Sequence, residues 1–330
     1  MRARVAVVGA GISGIAAASA MAARGIDVVV LDRGHRVGGR MAARTLRDTG
    51  LPYDGRIVDV GASYLTASGD GFVDVVEGWE ARGLLRPWTD TFHVATPSGL
   101  EGVVTGPLRY AAPEGLRSLV EDLAVQLPLL VHPRDVGAVT RDGDVVEVDG
   151  DAFDAVVLAM PGPQAADLLA ADDPAAAAVA GQRDDPVLTL IAAYEERCWP
   201  EIDGVFVNDS AVLVFVADDG RRRGDDAPVL VAHSGAVVAA SHLDEPASAA
   251  PVLLEALEHA VRATAKPAWF DVRRWSLAKP RTQGGAAYWF DGAIGVCGDA
   301  WGAEPRIETA WTSGDALGRV VASQLAAAGR

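Results

Sequence analysis

Short apolar runs and one helical repeat alternate at the start of the chain. Residues 5–8 form a continuous apolar run typical of a buried strand, and residues 12–24 have helical spacing that ends at Gly25. A second apolar run, 28–31, ends at Asp32. A strand, a helix and a strand in this order predict a βαβ unit with parallel strands and a right-handed crossover.

The first half then continues with strands separated by helices. Helical periodicity is found at 113–126, and the alanine-rich stretch 165–181 suits a helix and a linker. Residues 64–107 contain only short mixed segments. Apolar runs predict strands at 57–60, 129–131, 136–139, 145–148 and 153–160, with 136–139 and 145–148 joined as a hairpin by an Asp-Gly turn.

The second half is rich in β-type runs before it returns to the opening pattern. Strands are predicted at 187–193, 212–217, 229–232, 236–240, 269–277 and 294–296, with helices at 246–264 and from about 307 onward. We therefore expect an α/β protein of two discontinuous domains. A Rossmann-type domain takes residues 1–63, 108–165 and 286–330, and a β-rich α+β domain takes residues 64–107 and 166–285.

Composition narrows the classes of function. Half of the 330 residues are hydrophobic, and the formal net charge is −16, which argues against a nucleic-acid partner. Two distant cysteines and six scattered histidines have no metal-ligand spacing, so no metal is expected. No signal peptide and no apolar run of membrane-spanning length is recognisable, and a cytoplasmic location is predicted.

The densest run of charge lies at residues 218–226. Three arginines, Arg221 to Arg223, stand between two pairs of aspartates and beside two glycines. Mixed charge with glycine is typical of a turn whose side chains are hydrated. We therefore predict a solvated surface loop here.

A glycine fingerprint joins the first strand to the first helix. Gly9, Gly11 and Gly14 have the spacing G-x-G-x-x-G, in which the glycines allow a tight turn, close approach to a pyrophosphate and close packing of helix on strand. Backbone N–H groups at the helix start favour phosphate charge. Asp32, at the end of the next strand, is placed to accept hydrogen bonds from a ribose. This combination predicts a dinucleotide site.

The distant C-terminal segment indicates which dinucleotide binds. Gly38, Gly39 and Arg40 follow the second strand, and a strand, a turn with Asp299 and a long helix come near the end. A carboxylate there suits the ribityl chain of FAD, whereas a site for NAD alone has no need of this second segment. The start of the final helix is expected to stabilise negative charge on a reduced flavin.

Five segments together resemble the FAD-dependent amine-oxidase-like superfamily, and most closely its renalase branch. They are GAGISGIAAA (9–18), LDR with VGGRMA (31–42), DVGASYLTA (59–67), RRWSLAKP (273–280) and GVCGDAWG with RIETAWTSG (295–314). The resemblance implies a two-domain hydroxybenzoate-hydroxylase-like flavoprotein with non-covalent FAD. It also implies an oxidase that takes hydride from isomeric dihydro-NAD(P) and passes two electrons to O2, giving hydrogen peroxide.

Site residues are carried over from this resemblance by position. The residues expected to hold FAD are Gly9, Ala10, Gly11, Ile12, Ser13, Gly14, Asp32, Arg33, Gly39, Arg40, Gly61, Ala62, Val136, Asp299 and Ile307. Those expected to line the pocket over the flavin are Tyr64, Trp275, Tyr288 and Trp289. Arg273, Arg274 and Arg281 are further candidates, for substrate phosphates.

The chain departs from the renalase pattern on the substrate side. Ser63 stands where that pattern has a glutamine, and Leu65 where it has an aromatic residue. Residues 273–277 read Arg-Arg-Trp-Ser-Leu where the pattern has a run like His-Arg-Trp-Arg-Tyr. The alternatives are therefore a flavin amine oxidase, a desaturase or a biosynthetic tailoring oxidase. A protein of the same scaffold that binds a partner without redox chemistry is less favoured, because the fingerprint and both acids are intact.

The expected reaction needs positioning more than it needs a base. A misplaced dihydropyridine becomes aromatic by giving hydride to flavin N5, so no proton has to be removed first. An amine has to be deprotonated, and amine oxidases keep a lysine near N5 in a strand of the substrate domain. The run 187–193 has no lysine, and Lys279 is expected to be a surface charge.

Overall fold

A computed structural model of the chain describes residues 2–131, 133–143, 145–281 and 285–329. Within these residues, the strands in chain order are β1 (Arg4–Val8), β2 (Asp27–Leu31), β3 (Ala43–Thr45), β4 (Ile57–Asp59), β5 (Arg86–Thr96), β6 (Gly99–Ala111), β7 (Leu130–Val131), β8 (Val139–Asp142), β9 (Val145–Val148), β10 (Asp151–Phe153), β11 (Ala155–Leu158), β12 (Asp184–Ala193), β13 (Gly204–Val207), β14 (Leu213–Asp218), β15 (Val229–Ser234), β16 (Trp269–Pro280), β17 (Trp289–Phe290) and β18 (Ile294–Val296). The helices are α1 (Ile12–Ala22), α2 (Asp70–Ala81), α3 (Arg117–Ala124), α4 (Gly162–Asp167), α5 (Pro174–Val179), α6 (Asp219–Arg223), α7 (Ala236–Ser241), α8 (Ala250–Val261) and α9 (Ile307–Ala327), with 3-10 turns at Gly39–Met41 and Pro246–Ala249.

A six-stranded sheet carries the nucleotide-binding motif. Its order is β17-β18-β11-β1-β2-β7, and every pair is parallel except β17 with β18. Valine and alanine side chains of β1 are almost completely buried on both faces, as expected for a central parallel strand. The carboxyl ends of β1, β2 and β18 therefore meet at one edge, where ligands bind in folds of this kind.

Helices α1 and α9 pack closely against one face of this sheet. A β-carbon at Gly314 would collide with the carbonyl oxygen of Ser13, and one at Gly318 with that of Ala17. Glycine at these two positions lets the helix backbones touch. The start of the chain and residues 307–327 thus share one core.

A seven-stranded sheet forms the second part of the molecule, in the order β16-β12-β15-β14-β13-β5-β6. One face carries Leu188, Leu190 and Leu230 and is covered by α8 and neighbouring residues. The opposite face carries Ile191 and Val231, which pack against Val58 and Val60 of the nucleotide-binding side. The second face is therefore the one turned toward the cofactor site.

The two sheets draw on separate stretches of chain. The six-stranded sheet uses strands between 4 and 31, at 130–131, at 155–158 and between 289 and 296, and the seven-stranded sheet uses strands at 86–111 and 184–280. The boundary residues proposed from the sequence stay predictions.

Several local predictions were wrong. Residues 236–240 are helix α7 rather than a strand, because Gly235 lies against the carbonyl oxygen of Ala211 and the chain leaves the sheet there. The hairpin strand begins at Val139, not at 136, and the helix predicted at 113–126 is restricted to α3. Residues 64–107 contain α2, β5 and most of β6. Because residues 101–108 of this edge strand are exposed, its sequence shows no alternation.

Candidate functional site

The fingerprint turn has the shape that a pyrophosphate requires. Gly9 has φ +108°, and a β-carbon there would come within 2.5 Å of the carbonyl oxygen of Ala159. A β-carbon at Gly14 would collide with the carbonyl of Gly9, whereas one at Gly11 would meet nothing within 4 Å. Gly9 and Gly14 are therefore packing glycines, and Gly11 faces open space at the start of α1. Ile12 and Ser13 form the first turn of that helix.

Asp32 stabilises this turn directly after β2. Its carboxylate accepts a hydrogen bond from the N–H of Ala10 at 2.7 Å and another from the N–H of Gly34 at 2.6 Å. The neighbouring Arg33 is exposed. The acid thus lies at the edge where the sequence predicts a ribose site, next to the fingerprint glycines.

The turn at Gly38–Arg40 lies on the fingerprint. Gly38 donates its N–H to the carbonyl of Ala10 at 2.9 Å, and Gly39, with φ +49°, faces Gly11. The guanidinium of Arg40 binds Asp299 of the C-terminal segment at 2.5 Å and the carbonyl of Ala278 in β16 at 3.2 Å. Arg40 therefore joins this turn to the C-terminal segment and to the seven-stranded sheet.

The C-terminal segment reaches the same edge through β18. Gly298 has φ +147°, donates its N–H to the hydroxyl of Ser313 at 3.0 Å, and faces open space. Asp299 follows it beside Arg40, and helix α9 begins at Ile307 without a side-chain cap. The N-terminus of α1 likewise has no side-chain cap. Two helix starts thus leave backbone N–H groups for a ligand.

These residues fit FAD. An open glycine and an uncapped helix start suit the pyrophosphate, Arg40 supplies positive charge, and Asp299 supplies an acceptor for the ribityl hydroxyls. Val136 is buried in the loop between β7 and β8, where the following residue, Gly137, donates its N–H to Asp149. Contact between Val136 and the adenosine stays a prediction.

The segment Gly61–Tyr64 and the residue before it are fixed by three other parts of the chain. A β-carbon at Gly61 would collide with the carbonyl of Arg40, and the N–H of Ala62 donates to that carbonyl at 2.8 Å. The carbonyl of Val60, just before it, accepts the Thr189 hydroxyl and the Trp275 indole N–H, each at 2.8 Å. The segment is therefore held from both domains.

Tyr64 begins an aromatic cluster on the inner face of the seven-stranded sheet. Its ring lies 5.5 Å from that of Phe92 and 5.9 Å from that of Phe215. Phe206 completes the group, and the guanidinium of Arg109, which is buried, lies 4.0 Å above the Phe92 ring. Apart from Tyr64, this cluster was missed in the sequence, because its members come from β5, β6, β13 and β14.

The predicted solvated loop at 218–226 was wrong. Residues 219–223 are helix α6, in which Asp219, Arg222 and Arg223 are buried. Arg223 binds the Asp59 carboxylate at 2.9 Å, while Arg222 donates to the carbonyl of Ser63 at 2.7 Å. The three arginines that surround Asp219 are Arg56, Arg222 and Arg223.

Charge pairing sets the ionisation of this buried network. Burial alone would raise the pKa of Asp219, but Arg222, Arg223 and Arg56 hold it well below its usual range. Burial, with a smaller contribution from Arg222, lowers the pKa of His233 to about 4. Because of this low pKa, the His233 ring is neutral near pH 7. Its Nδ1 atom lies 3.3 Å from the Ser63 hydroxyl.

The other predicted pocket residues lie in different surroundings. Trp275 is half-buried and lies at Val60, close to the segment that contains Tyr64. Tyr288 packs against the core shared by α1 and α9, and Trp289 packs on the other face of the six-stranded sheet. The structure therefore gives these two a packing role, and their contact with substrate stays a prediction.

The three arginines predicted as candidates for substrate phosphates also lie in different surroundings. Arg274 donates to the carbonyl of Leu243, and Arg281 forms an exposed ion pair with Asp185. Lys279 is exposed in β16, as predicted. Only Arg273 of this group faces a groove, which is described below.

Cys297 does not have the surroundings of a nucleophile. The thiol is completely buried before Gly298, and burial raises its pKa to about 12. A neutral thiol is a poor nucleophile, which agrees with non-covalent FAD. In the described ranges no three His, Cys, Asp or Glu side chains come together as a metal site, and no helix has the length and apolar character needed to cross a bilayer.

Comparison with known families agrees with this geometry. A model of NAD(P)-binding Rossmann-like domains matches residues 7–76. A model described as flavin containing amine oxidoreductase matches residues 80–294, well over half of the chain. The chain belongs to the flavin-containing amine oxidoreductase family. FAD as the cofactor and oxidoreductase activity follow from membership of this family.

Several solved structures share the fold. A protein assigned as a protoporphyrinogen oxidase from Exiguobacterium sp. 255-15 is similar with TM-score 0.77 and 15% identity, covering 98% of this chain and 99% of that one. Cyclohexylamine oxidase from Brevibacterium oxydans IH-35A gives 0.76 and 14%, covering 99% and 100%. Putrescine oxidase with bound putrescine gives 0.73 and 16%, covering 99% of each chain.

These matches refine the predicted fold class. The molecule has the mixed α/β, two-domain fold of a flavoprotein oxidase with a Rossmann-like nucleotide-binding domain. The label taken from the resemblance, hydroxybenzoate-hydroxylase-like, is replaced by the amine oxidase fold. The broader superfamily predicted from the sequence is confirmed.

Proposed function

We propose that this family member is a renalase-like oxidase that takes hydride from an isomeric dihydro-NAD(P) and passes the electrons to O2, in the cytoplasm. The observation that carries the proposal is the identity and bonding of Thr189. On β12, Thr189, Ile191 and Ala193 belong to the face turned toward the nucleotide-binding side. The Thr189 hydroxyl is completely buried and donates to the Val60 carbonyl at 2.8 Å, one residue before Gly61.

The hydroxyl of Thr189 cannot serve as the base that amine oxidation requires. A threonine hydroxyl that already donates a hydrogen bond is not a proton acceptor for an ammonium group, nor does it hold a water molecule as a lysine does. The nearby imidazole of His233, which contacts Ser63, is a weak base because its pKa is lowered to about 4. The site therefore suits a donor that loses hydride without first losing a proton.

The aromatic cluster supplies the positioning that such a donor needs. Phe92 and Phe215 are buried and pack against the ring of Tyr64, which is half-buried at the end of the Gly61–Tyr64 segment. A flat ring held in this way orients a pyridine ring by stacking and excludes water from it. When bound, FAD supplies hydride acceptance and subsequent electron transfer.

Other residues of the chain hold the reacting partners in place. Arg40 and the start of α1 would neutralise the FAD pyrophosphate, and Asp299 would orient the ribityl chain. Arg222 fixes the Ser63 carbonyl, and Thr189 and Trp275 fix the Val60 carbonyl. Together these contacts set the position of the segment that carries Tyr64 beside the cofactor site.

The test is anaerobic reduction of the bound flavin, which is measured as the loss of flavin absorbance. The 2- and 6-dihydro isomers of NAD and NADP are compared with ordinary NADH, cyclohexylamine and putrescine. We expect rapid bleaching by a dihydro isomer, at a rate that changes little between pH 6 and 9, because no proton is removed from the donor. Bleaching by an amine alone, with a rate that rises with pH, would exclude this proposal.

Amine oxidation is the second candidate, and the family membership favours it. Two structures with the same fold are those of cyclohexylamine oxidase and putrescine oxidase. A Thr189→Lys variant separates the two candidates. If amines are the natural substrates, lysine here should be tolerated or should accelerate their oxidation. If a dihydropyridine is the substrate, the introduced charge should slow flavin reduction.

A further inference from the structure

A groove with an excess of positive charge lies at the boundary between β3 and the edge strand β16. Its volume is about 480 Å³, and five arginines line it together with two aspartates, Asp48 and Asp271. We call it the arginine groove, after Arg36, Arg44, Arg47, Arg117 and Arg273. Such a concentration is unexpected in a chain of net charge −16.

Ion pairs within the protein neutralise only part of this charge. Arg36 binds Glu121 at 2.6 Å, and Arg273 pairs with Asp271. The side chains of Arg44 and Arg47 are exposed and make no hydrogen bond or ion pair to any residue of the described ranges. At least two guanidinium groups therefore remain available to an anion from solution.

Two buried hydrogen-bond donors in the groove also favour a bound anion. The Nε atoms of Arg117 and Arg273 are buried, and neither has a hydrogen-bond partner among the described residues. Burial lowers the pKa of Arg117, and the nearby cations Arg36 and Arg44 lower it further. Although Glu121 and Asp59 partly offset these cations, a buried donor without a partner and a cation beside other cations are both costly, and both are relieved by a bound anion.

The groove is distinct from the FAD fingerprint. On the turn after β2, a β-carbon at Gly39 would face Gly11, whereas one at Gly38 would come within 3.1 Å of Arg117. The Gly38–Gly39 backbone therefore separates the fingerprint from the groove. The two sites can be filled at the same time.

Both domains contribute to the groove. Arg36, Arg44, Arg47 and Arg117 come from the nucleotide-binding side, whereas Trp269, Asp271 and Arg273 are alternate residues of β16 and so share one face of that strand. Guanidinium groups bind phosphoryl oxygens in pairs, and an indole stacks on a flat ring. A groove of this volume accommodates a small ligand.

We propose that the arginine groove binds a small organic phosphate of nucleotide type, with its phosphates on the arginines and its ring on Trp269. This site goes beyond the proposed oxidase function and does not depend on it, because binding here needs no turnover. A ligand held by residues of both domains would also favour their closed arrangement.

The experiment is titration calorimetry on the FAD-loaded protein, with inorganic pyrophosphate, ADP and adenosine as probes. We expect pyrophosphate and ADP to bind and adenosine to bind at least tenfold more weakly than ADP. The double variant Arg44→Ser with Arg47→Ser should weaken both anions at least tenfold. Equal affinity of pyrophosphate and ADP supports recognition of phosphate alone, and tighter ADP binding that Trp269→Leu abolishes supports the ring contact.

A charge-matched control is the double variant Arg24→Ser with Arg319→Ser, which removes two exposed arginines that do not line the groove. It should bind ADP like the parent protein. The proposal fails if neither anion binds at millimolar concentration, if the control loses as much affinity as the groove variant, or if ADP releases flavin. Flavin reduction measured on the same variants tests the oxidase proposal separately.

Discussion

Two groups of arginines in this molecule have opposite surroundings. In α6, Arg222 and Arg223 are buried, and both pair with Asp219. In the arginine groove, the side chains of Arg44 and Arg47 are exposed and have no partner among the described residues. The α6 group stabilises the fold and the segment beside the flavin, whereas the groove group has charge left for a ligand. Arginine content alone does not distinguish the two roles; the position of the carboxylates does.

The largest expected effect comes from removing the charge at the centre of the α6 group. Asp219→Asn leaves Arg56, Arg222 and Arg223 buried with one carboxylate fewer, which we expect to lower the free energy of unfolding by about 3–5 kcal/mol. Urea denaturation of the FAD-loaded protein measures it. The control is Asp225→Asn, whose side chain is 43% exposed and whose loss should cost less than about 1 kcal/mol. If both variants lose the same free energy of unfolding, burial does not decide which of these carboxylates stabilises the fold.

A pH effect of nearly similar size is expected at His233. Its pKa is about 4 in the folded protein and 6.5 in an unfolded chain, so the unfolded chain binds the proton first as pH falls. The contribution of His233 to the free energy of unfolding, about 3 kcal/mol, is therefore fully present above pH 6.5 and is lost between pH 6.5 and about 4. His233→Gln, which does not titrate, should flatten this part of the stability curve. An unchanged slope in the variant would assign the loss to other groups.

A smaller effect is expected on catalysis at Arg222. Its hydrogen bond to the Ser63 carbonyl fixes the segment that contains Tyr64, so Arg222→Lys should slow flavin reduction by about tenfold through misplacement. Stopped-flow absorbance at saturating donor separates this rate from binding. The matched control is Arg221→Lys on the same helix, whose partners Glu201 and Asp203 lie away from the site. If both variants reduce at the parent rate, Arg222 has only a stabilising role.

The smallest effect on stability is expected from the groove. Because Arg44 and Arg47 are exposed and unpaired within the described ranges, changing both to serine should alter the free energy of unfolding by less than about 0.5 kcal/mol. The same variant should lose its binding of ADP. A large loss of stability would place these arginines with the α6 group instead.

The nucleotide-binding half could be predicted because its determinants are local. Gly9, Gly11, Gly14 and Asp32 lie within one βαβ unit, and their spacing fixes the turn whatever surrounds it. Even the distant Asp299 carries a recognisable glycine turn before a helix. In the folded protein Asp299 binds Arg40, so the two segments that were predicted to hold one cofactor lie side by side.

The substrate side could not be predicted in the same way, because its contacts are long-range. Nothing near Arg222 in the sequence indicates Ser63, which is 159 residues away and accepts its hydrogen bond. The run that became α6 therefore had the appearance of a hydrated turn. The aromatic cluster at Tyr64 likewise draws its members from several strands whose pairing no local pattern encodes.

The close contact of α1 with α9 has a consequence for the order of events during synthesis. Gly314 and Gly318 meet carbonyl groups of α1, and β18 pairs with β11 inside the same sheet. A nascent chain released only as far as residue 290 lacks this strand, this helix and Asp299. The six-stranded sheet, whose β1 is synthesised before any strand of the seven-stranded sheet, is therefore completed only after all of those strands. Such high contact order predicts slow maturation, with flavin uptake as a late step.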